Sequence, residues 1–130
     1  MQCPCKSTLK YEECCQKLIE RKKEATTPLE LMRSRYSAFV LGEVEYLIYS
    51  DIHSSKADKE DLLAFSKGVE WIGLNIIEAK EDTVEFKAYY NLNGKTEVLH
   101  EKSNFIKVDG IWKYDSGELY NTKLLHQQNI

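Results

Sequence analysis

The hydrophobic pattern changes period once along this chain, near residue 69. Before that point apolar residues recur at helical spacing, and after it they alternate. Thr27-Pro28-Leu29-Glu30 opens the clearest helical stretch. Thr27 can cap, Pro28 suits the first helical position, and Glu30 completes a capping box. Leu29, Met32, Tyr36, Phe39 and Val40 fall on one stripe, the expected core face, with Arg33 and Arg35 flanking it on opposite sides. Gly42 is the expected stop. Residues 43–49 predict a short second helix with Val44, Leu47 and Ile48 apolar. Residues 51–55 read as a loop. Asp58 opens a third helix through Leu62, Leu63 and Phe65, closed by Gly68.

From Val69 onward the spacing predicts strands over 69–77, 83–92, 96–108 and 111–116. Val84, Phe86, Ala88 and Tyr90 share one face of the second. Asn93-Gly94 and Asp109-Gly110 are hairpin turns of the favoured kind. Helices followed by an antiparallel meander predict an α+β domain, with three helices packed on one face of a curved sheet. In the third strand Leu99, Glu101, Ser103 and Phe105 share a face. A carboxylate between Leu99 and Phe105 needs a partner or a raised pKa. Arg33 and Arg35 are the expected partners, either as a buried structural ion pair or as part of a ligand site.

With 130 residues and 42% hydrophobic content, the chain can build one globular core and a small appendage. A net charge of −3 argues against a protein built to grip nucleic acid by its phosphates. No apolar run approaches a membrane span, and no charged-then-apolar leader opens the chain, so a cytoplasmic location is expected. Residues 16–24 carry mixed charge with only Leu18 and Ile19 apolar, which reads as a solvated helix or linker. The expected division is therefore 1–24 and 25–130.

All four cysteines lie within the first fifteen residues, as Cys3-Pro4-Cys5 and, eight residues on, Cys14-Cys15. Two tight pairs of thiols can converge on one tetrahedral centre, which suits zinc. The alternatives are disulfides and a redox dithiol. Disulfide staples spread through the fold they support, and these four crowd one end. A redox dithiol is more typically Cys-x-x-Cys beside a strand–helix unit, which is absent here. Zinc held by Cys3, Cys5, Cys14 and Cys15 is the preferred reading. On this division, chelation is expected to unfold the first two dozen residues and spare the rest.

Cys3-Pro4-Cys5, Ser7, Leu9-Lys10-Tyr11 and Cys14-Cys15 resemble the SEC-C motif, the small zinc module at the C-terminus of the bacterial preprotein translocase motor. Lys6 and Thr8 stand where that motif has glycines, so a weakened or reshaped site is expected. A second resemblance runs through Leu31-Met32-Arg33-Ser34-Arg35-Tyr36-Ser37-Ala38-Phe39-Val40-Leu41-Gly42, Trp71-Ile72-Gly73-Leu74, Val84-Glu85-Phe86, residues 99–105 and Asp109-Gly110-Ile111-Trp112-Lys113-Tyr114. These are similar to the YchJ family. That resemblance implies a SEC-C module followed by a cone domain of the nuclear-transport-factor (SnoaL-like) type. Family members often carry proline after the histidine, where this chain has His53-Ser54, and many carry a second SEC-C copy; residues 121–130 contain no cysteine.

Two functional expectations follow. The first is a binding protein whose zinc module docks a protein or ribonucleoprotein, as the resemblance implies, while the cone holds a small molecule or a second surface. Arg33, Arg35, Tyr36, Trp71, Glu101 and Ser103 are the candidates for that cone site. The second is a small cone-fold enzyme doing acid–base chemistry on a hydrophobic molecule, with Glu101 or His53 as acid or base. No nucleophile motif, phosphate loop or second metal cluster appears in the sequence, and catalysis is the less favoured reading. Analogy with other cone domains adds a homodimer through the open sheet face.

Overall fold

The long helix α2 (Pro28–Leu41) is the axis on which the rest of the molecule is placed. A computed structural model describes residues 1–120, so the cysteine-free tail 121–130 lies outside the described residues. Thr27 sits in extended backbone and its side chain accepts from the Glu30 amide at 3.1 Å. Glu30 reaches back to the amide of Thr26, at 2.7 Å, one residue earlier than a standard capping box would place it. Gly42 ends the helix at φ 75°, the left-handed conformation in which a Cβ is costly.

Helices α3 (Val44–Tyr49) and α4 (Lys59–Gly68) follow, and then strands β1 (Glu70–Lys80), β2 (Thr83–Leu92), β3 (Lys95–Val108) and β4 (Ile111–Tyr120). The strands pair in sequence order as an antiparallel meander. Asn93 and Asp109 adopt φ 52° and 53°, each followed by a glycine at positive φ, as the hairpin reading requires. Register shifts in β1 and between Asn104 and Phe105 bend the sheet around the helices. Val84, Phe86, Ala88, Tyr90, Leu99, Glu101, Ser103, Phe105 and Tyr114 are all buried. Tyr36, Phe39, Phe65, Trp71 and Tyr90 meet edge-on or tilted, with ring centres 5.5–6.3 Å apart, between helices and sheet.

Two features depart from the one-stripe reading of the helical part. Helix α2 is buried nearly all round, including Ser34, Arg35 and Ser37. Its third face is covered by the cysteine-bearing segment, which the alternation of apolar residues within α2 alone does not anticipate. Residues 16–24 are also more than a solvated linker. The short helix α1 (Cys15–Ile19) buries Cys15, Leu18 and Ile19 in the same apolar core as Leu31, Met32 and Tyr36. Beyond it the Tyr49 ring is held between the Arg21 guanidinium at 4.0 Å and the Lys113 ammonium at 3.3 Å, and its hydroxyl donates to Glu24 at 2.5 Å.

Candidate metal centre

The first fifteen residues close on themselves. Gln2 pairs with Lys10 as an antiparallel bridge, the Cys3 amide donates to the Leu9 carbonyl at 2.9 Å, and the Tyr11 amide donates to Met1 at 3.0 Å. Between those rungs Lys6 and Thr8 adopt φ 65° and 75°. Both occupy the left-handed region that the glycines of the SEC-C pattern would enter freely. A single 3-10 turn over Tyr11–Glu13 then delivers Cys14 and Cys15 to the start of α1.

The four sulfurs of Cys3, Cys5, Cys14 and Cys15 lie within 4.8 Å of one another. Cys5 Sγ is 3.6 Å from Cys14 Sγ, and Cys14 Sγ is 3.9 Å from Cys15 Sγ. All four are free thiols, three of them buried and Cys14 half-buried. The Ser7 hydroxyl lies 3.2 Å from Cys14 Sγ. A hydrogen bond from Cys15, then one from Ser7, holds the Cys5 thiol down to about 4 against the opposing effect of burial. The same sharing with Cys5, reinforced by burial, pushes Cys15 far up. Burial, ahead of the neighbouring sulfurs, pushes Cys14 up. Buried thiols crowded in this way cannot all ionise without a compensating positive charge, so the donor set fits a metal ion.

Helix α2 reaches this cluster at two positions one turn apart. Arg33 donates from Nη1 to the Cys5 carbonyl at 2.6 Å, and the fully buried Ser37 places its hydroxyl 3.5 Å from Cys3 Sγ. The sequence offers Arg33, along with Arg35, as a partner for Glu101 and gives Ser37 no role. Their i, i+4 spacing is the one available signal that they share a face.

The cone candidates separate into three places. Glu101 is fully buried on the inner face of β3 and accepts from Ser103 at 2.6 Å and from Tyr114 at 3.0 Å. Arg35 is also buried, but its guanidinium donates to the Leu47 carbonyl at 2.9 Å and to Ser50 at 2.6 Å, and pairs with Asp51 at 4.0 Å. Among the described residues the expected direct Glu101–arginine pair does not form, and Arg35 pairs with Asp51 instead. Arg33 faces the cysteines, and Arg35 stacks 4.8 Å above the Tyr114 ring whose hydroxyl bonds Glu101. Burial lowers the Arg35 pKa, while the Asp51 charge works the other way. Tyr36 and Trp71 sit in the aromatic cluster, Trp71 donating from its indole to the Ser66 carbonyl at 3.3 Å. His53 lies on the surface, 67% exposed, with Nε2 2.9 Å from Asp115 Oδ1.

Gly117, opposite Ser103 in the β3–β4 register, was not singled out by the sequence. A Cβ there would overlap Glu101 Oε2 and lie 2.7 Å from the Tyr114 hydroxyl. Its lack of a side chain is what lets the carboxylate and phenol pack against β4. Among the described residues, no helix is long and apolar enough to cross a membrane.

Comparison with known proteins matches both parts of this architecture. The family profile described as the YchJ middle NTF2-like domain matches residues 27–117. A UPF0225 protein of Shewanella sp. (strain MR-4) is 37% identical over 137 residues, covering 94% of this chain and 83% of that protein. A UPF0225 protein of Vibrio parahaemolyticus is 37% identical over 122 residues, covering 88% and 73%. The solution structure of a SEC-C motif containing protein from Rhodopseudomonas palustris superimposes with a TM-score of 0.81 at 29% identity, covering 93% of this chain and all of that one.

Proposed function

The chain belongs to the YchJ (UPF0225) family, and from that premise we propose that it is a cytoplasmic zinc protein that docks a protein or ribonucleoprotein partner through its SEC-C module. The observation that carries the zinc assignment is the closed set of four sulfurs within 4.8 Å. Tetrahedral zinc with bonds of ~2.3 Å spaces its sulfurs by ~3.8 Å, close to the 3.6 and 3.9 Å found here. Four protein ligands leave no position for substrate, which is the character of a structural site. The metal would shape a surface and take part in no reaction.

The surface proposed for docking is a groove of about 270 Å³ between the module and α2. Leu9, Leu18 and Leu29 supply apolar lining, half-buried Cys14 lies in its wall, and Lys17, Lys23 and Glu30 stand at its rim. Leu9 is 49% exposed, an apolar side chain available to a partner. The enzyme alternative has less to support it. His53 faces solvent, and Glu101 is occupied by Ser103 and Tyr114.

Freshly reduced protein should carry one zinc per chain by elemental analysis. A partner captured by the wild type should be lost both by a Cys14→Ser, Cys15→Ser variant and by Leu9→Glu, which keeps all four ligands. A metal-free wild type would overturn the zinc assignment. A partner set unchanged in both variants would remove the module from docking.

A further inference from the structure

Helix α2 lies outside the cysteine segment, yet two of its side chains touch that segment. Arg33 Nη1 donates to the carbonyl of Cys5 at 2.6 Å, so the backbone of one ligand residue is fixed from the cone. One helical turn on, the Ser37 hydroxyl lies 3.5 Å from Cys3 Sγ. Ser37 is fully buried, so no water competes for this donor. A serine inside a helix ordinarily satisfies its hydroxyl on a carbonyl a turn earlier. Ser34 does so here, bonding the Leu31 carbonyl at 2.7 Å, and Ser37 instead faces sulfur.

Four thiolates around a divalent ion carry a net formal charge of −2. Hydrogen-bond donors and a nearby cation lower the cost of holding that charge in an apolar site. Inside the cysteine segment, Ser7 on Cys14 is the one side-chain hydroxyl among the described residues that bonds a ligand sulfur. Two of the buried cysteines are reached from α2 instead, Cys3 at its sulfur by Ser37 and Cys5 at its carbonyl by Arg33.

We infer that Ser37 and Arg33 are positioning residues of the metal site, so that the cone domain completes a centre whose ligands all come from the first fifteen residues. This rests on the metal assignment proposed above. Removing either contact should loosen the metal without removing a ligand. A lost hydrogen bond to a liganding residue typically costs about 10–100-fold in metal affinity.

The test uses the full chain loaded with zinc or with cobalt(II). Ser37→Ala should speed metal transfer to a chelator by about 10-fold or more, and should shift the sulfur-to-cobalt charge-transfer band to lower energy, since the thiolates lose a donor. Ser37→Thr keeps the hydroxyl and should restore both readouts to within about twofold of wild type. Ser34→Ala, which breaks a buried bond of 2.6 Å to Tyr46, is the control expected to lower the melting temperature and leave the cobalt spectrum alone. If Ser37→Ala does not fold, Arg33→Gln, at a partly exposed position, takes its place with the same expected loss of metal. A variant that melts earlier yet keeps the wild-type exchange rate and spectrum would overturn the inference, reducing Ser37 to helix packing. Wild type that binds no metal would overturn this inference and the zinc assignment together, whereas a metal-bearing wild type with insensitive variants overturns only this one.

Discussion

Thr8 holds a β-branched side chain at φ 75°, in backbone that glycine enters freely and threonine does not. Left-handed backbone costs a residue with a Cβ roughly 1–2 kcal/mol, and glycine returns part of that through its greater unfolded-state freedom. Thr8→Gly should therefore stabilise the closed loop by about 1 kcal/mol and slow metal loss to a chelator. Faster loss than wild type would mean that the Thr8 side chain itself supports the site. The convergence of the four cysteines was legible in the sequence because two tight pairs of thiols can close on one centre. The positive φ at Lys6 and Thr8 was legible too, as residues placed where the motif has glycine. Ser37 was not, since a serine within a helix carries no mark of which neighbour its hydroxyl faces. The Glu101 partner was misread for a related reason. Alternation gave its face correctly, but which of two arginines reaches a carboxylate depends on how far each helix face turns. Both were already engaged, Arg33 by Cys5 and Arg35 by Leu47, Ser50 and Asp51.

Elements were easier to read than contacts, because each strand and helix is marked several times over. Strand β2 alternates cleanly, Asn93-Gly94 and Asp109-Gly110 fix both later hairpins, and Thr27-Pro28 starts α2 where a cap and a proline agree. The burial of α2 was not legible, since serine and arginine on its third face look like solvent-facing residues. Ser37 is buried and Arg33 half-buried because another segment brings a sulfur and a carbonyl to meet them. Strand β4 makes a related point through Gly117, which reads as a weak strand residue but sets how closely β4 approaches the buried carboxylate. Gly117→Ala should cost about 1–3 kcal/mol by overpacking, measured by denaturant unfolding. In a Glu101→Ala background the same change should cost less, because the carboxylate it meets is gone. The coupling between the two sites should fall within about 0.5–3 kcal/mol, as for side chains in direct contact. Strict additivity would mean that β4 shifts away from β3 and the Gly117 contact has no energetic role.

The whole molecule bears on what metal removal does. A boundary at residue 24 implied that chelation would unfold one end and spare the cone. The packing argues otherwise. Cys3, Cys5, Cys15, Leu18 and Ile19 are buried in the same core as Leu31, Met32 and Tyr36. Arg33 and Ser37 bind the segment from α2, and the Arg21–Tyr49–Lys113 stack with Glu24 ties its far end to α3 and β4. Losing the burial of Leu18 and Ile19 alone would cost about 1.5–3 kcal/mol for each side chain. That is a large part of the roughly 5–15 kcal/mol that holds a domain of this kind together. Chelation of reduced protein should therefore lower the melting temperature of the entire chain by roughly 10 °C or more, in one transition. Trp71 lies in the cone, packed edge-on against Tyr36 at 5.8 Å, and its near-UV signal should be lost together with the helical signal. Hydrogen exchange gives the contrary case a clear signature. Amides in residues 1–24 exchanging freely after chelation, with β2 and β3 still protected and the melting temperature unchanged, would show that the cone stands without the module. In that case the contacts from Arg33 and Ser37 would serve the metal alone and contribute nothing to the stability of the fold.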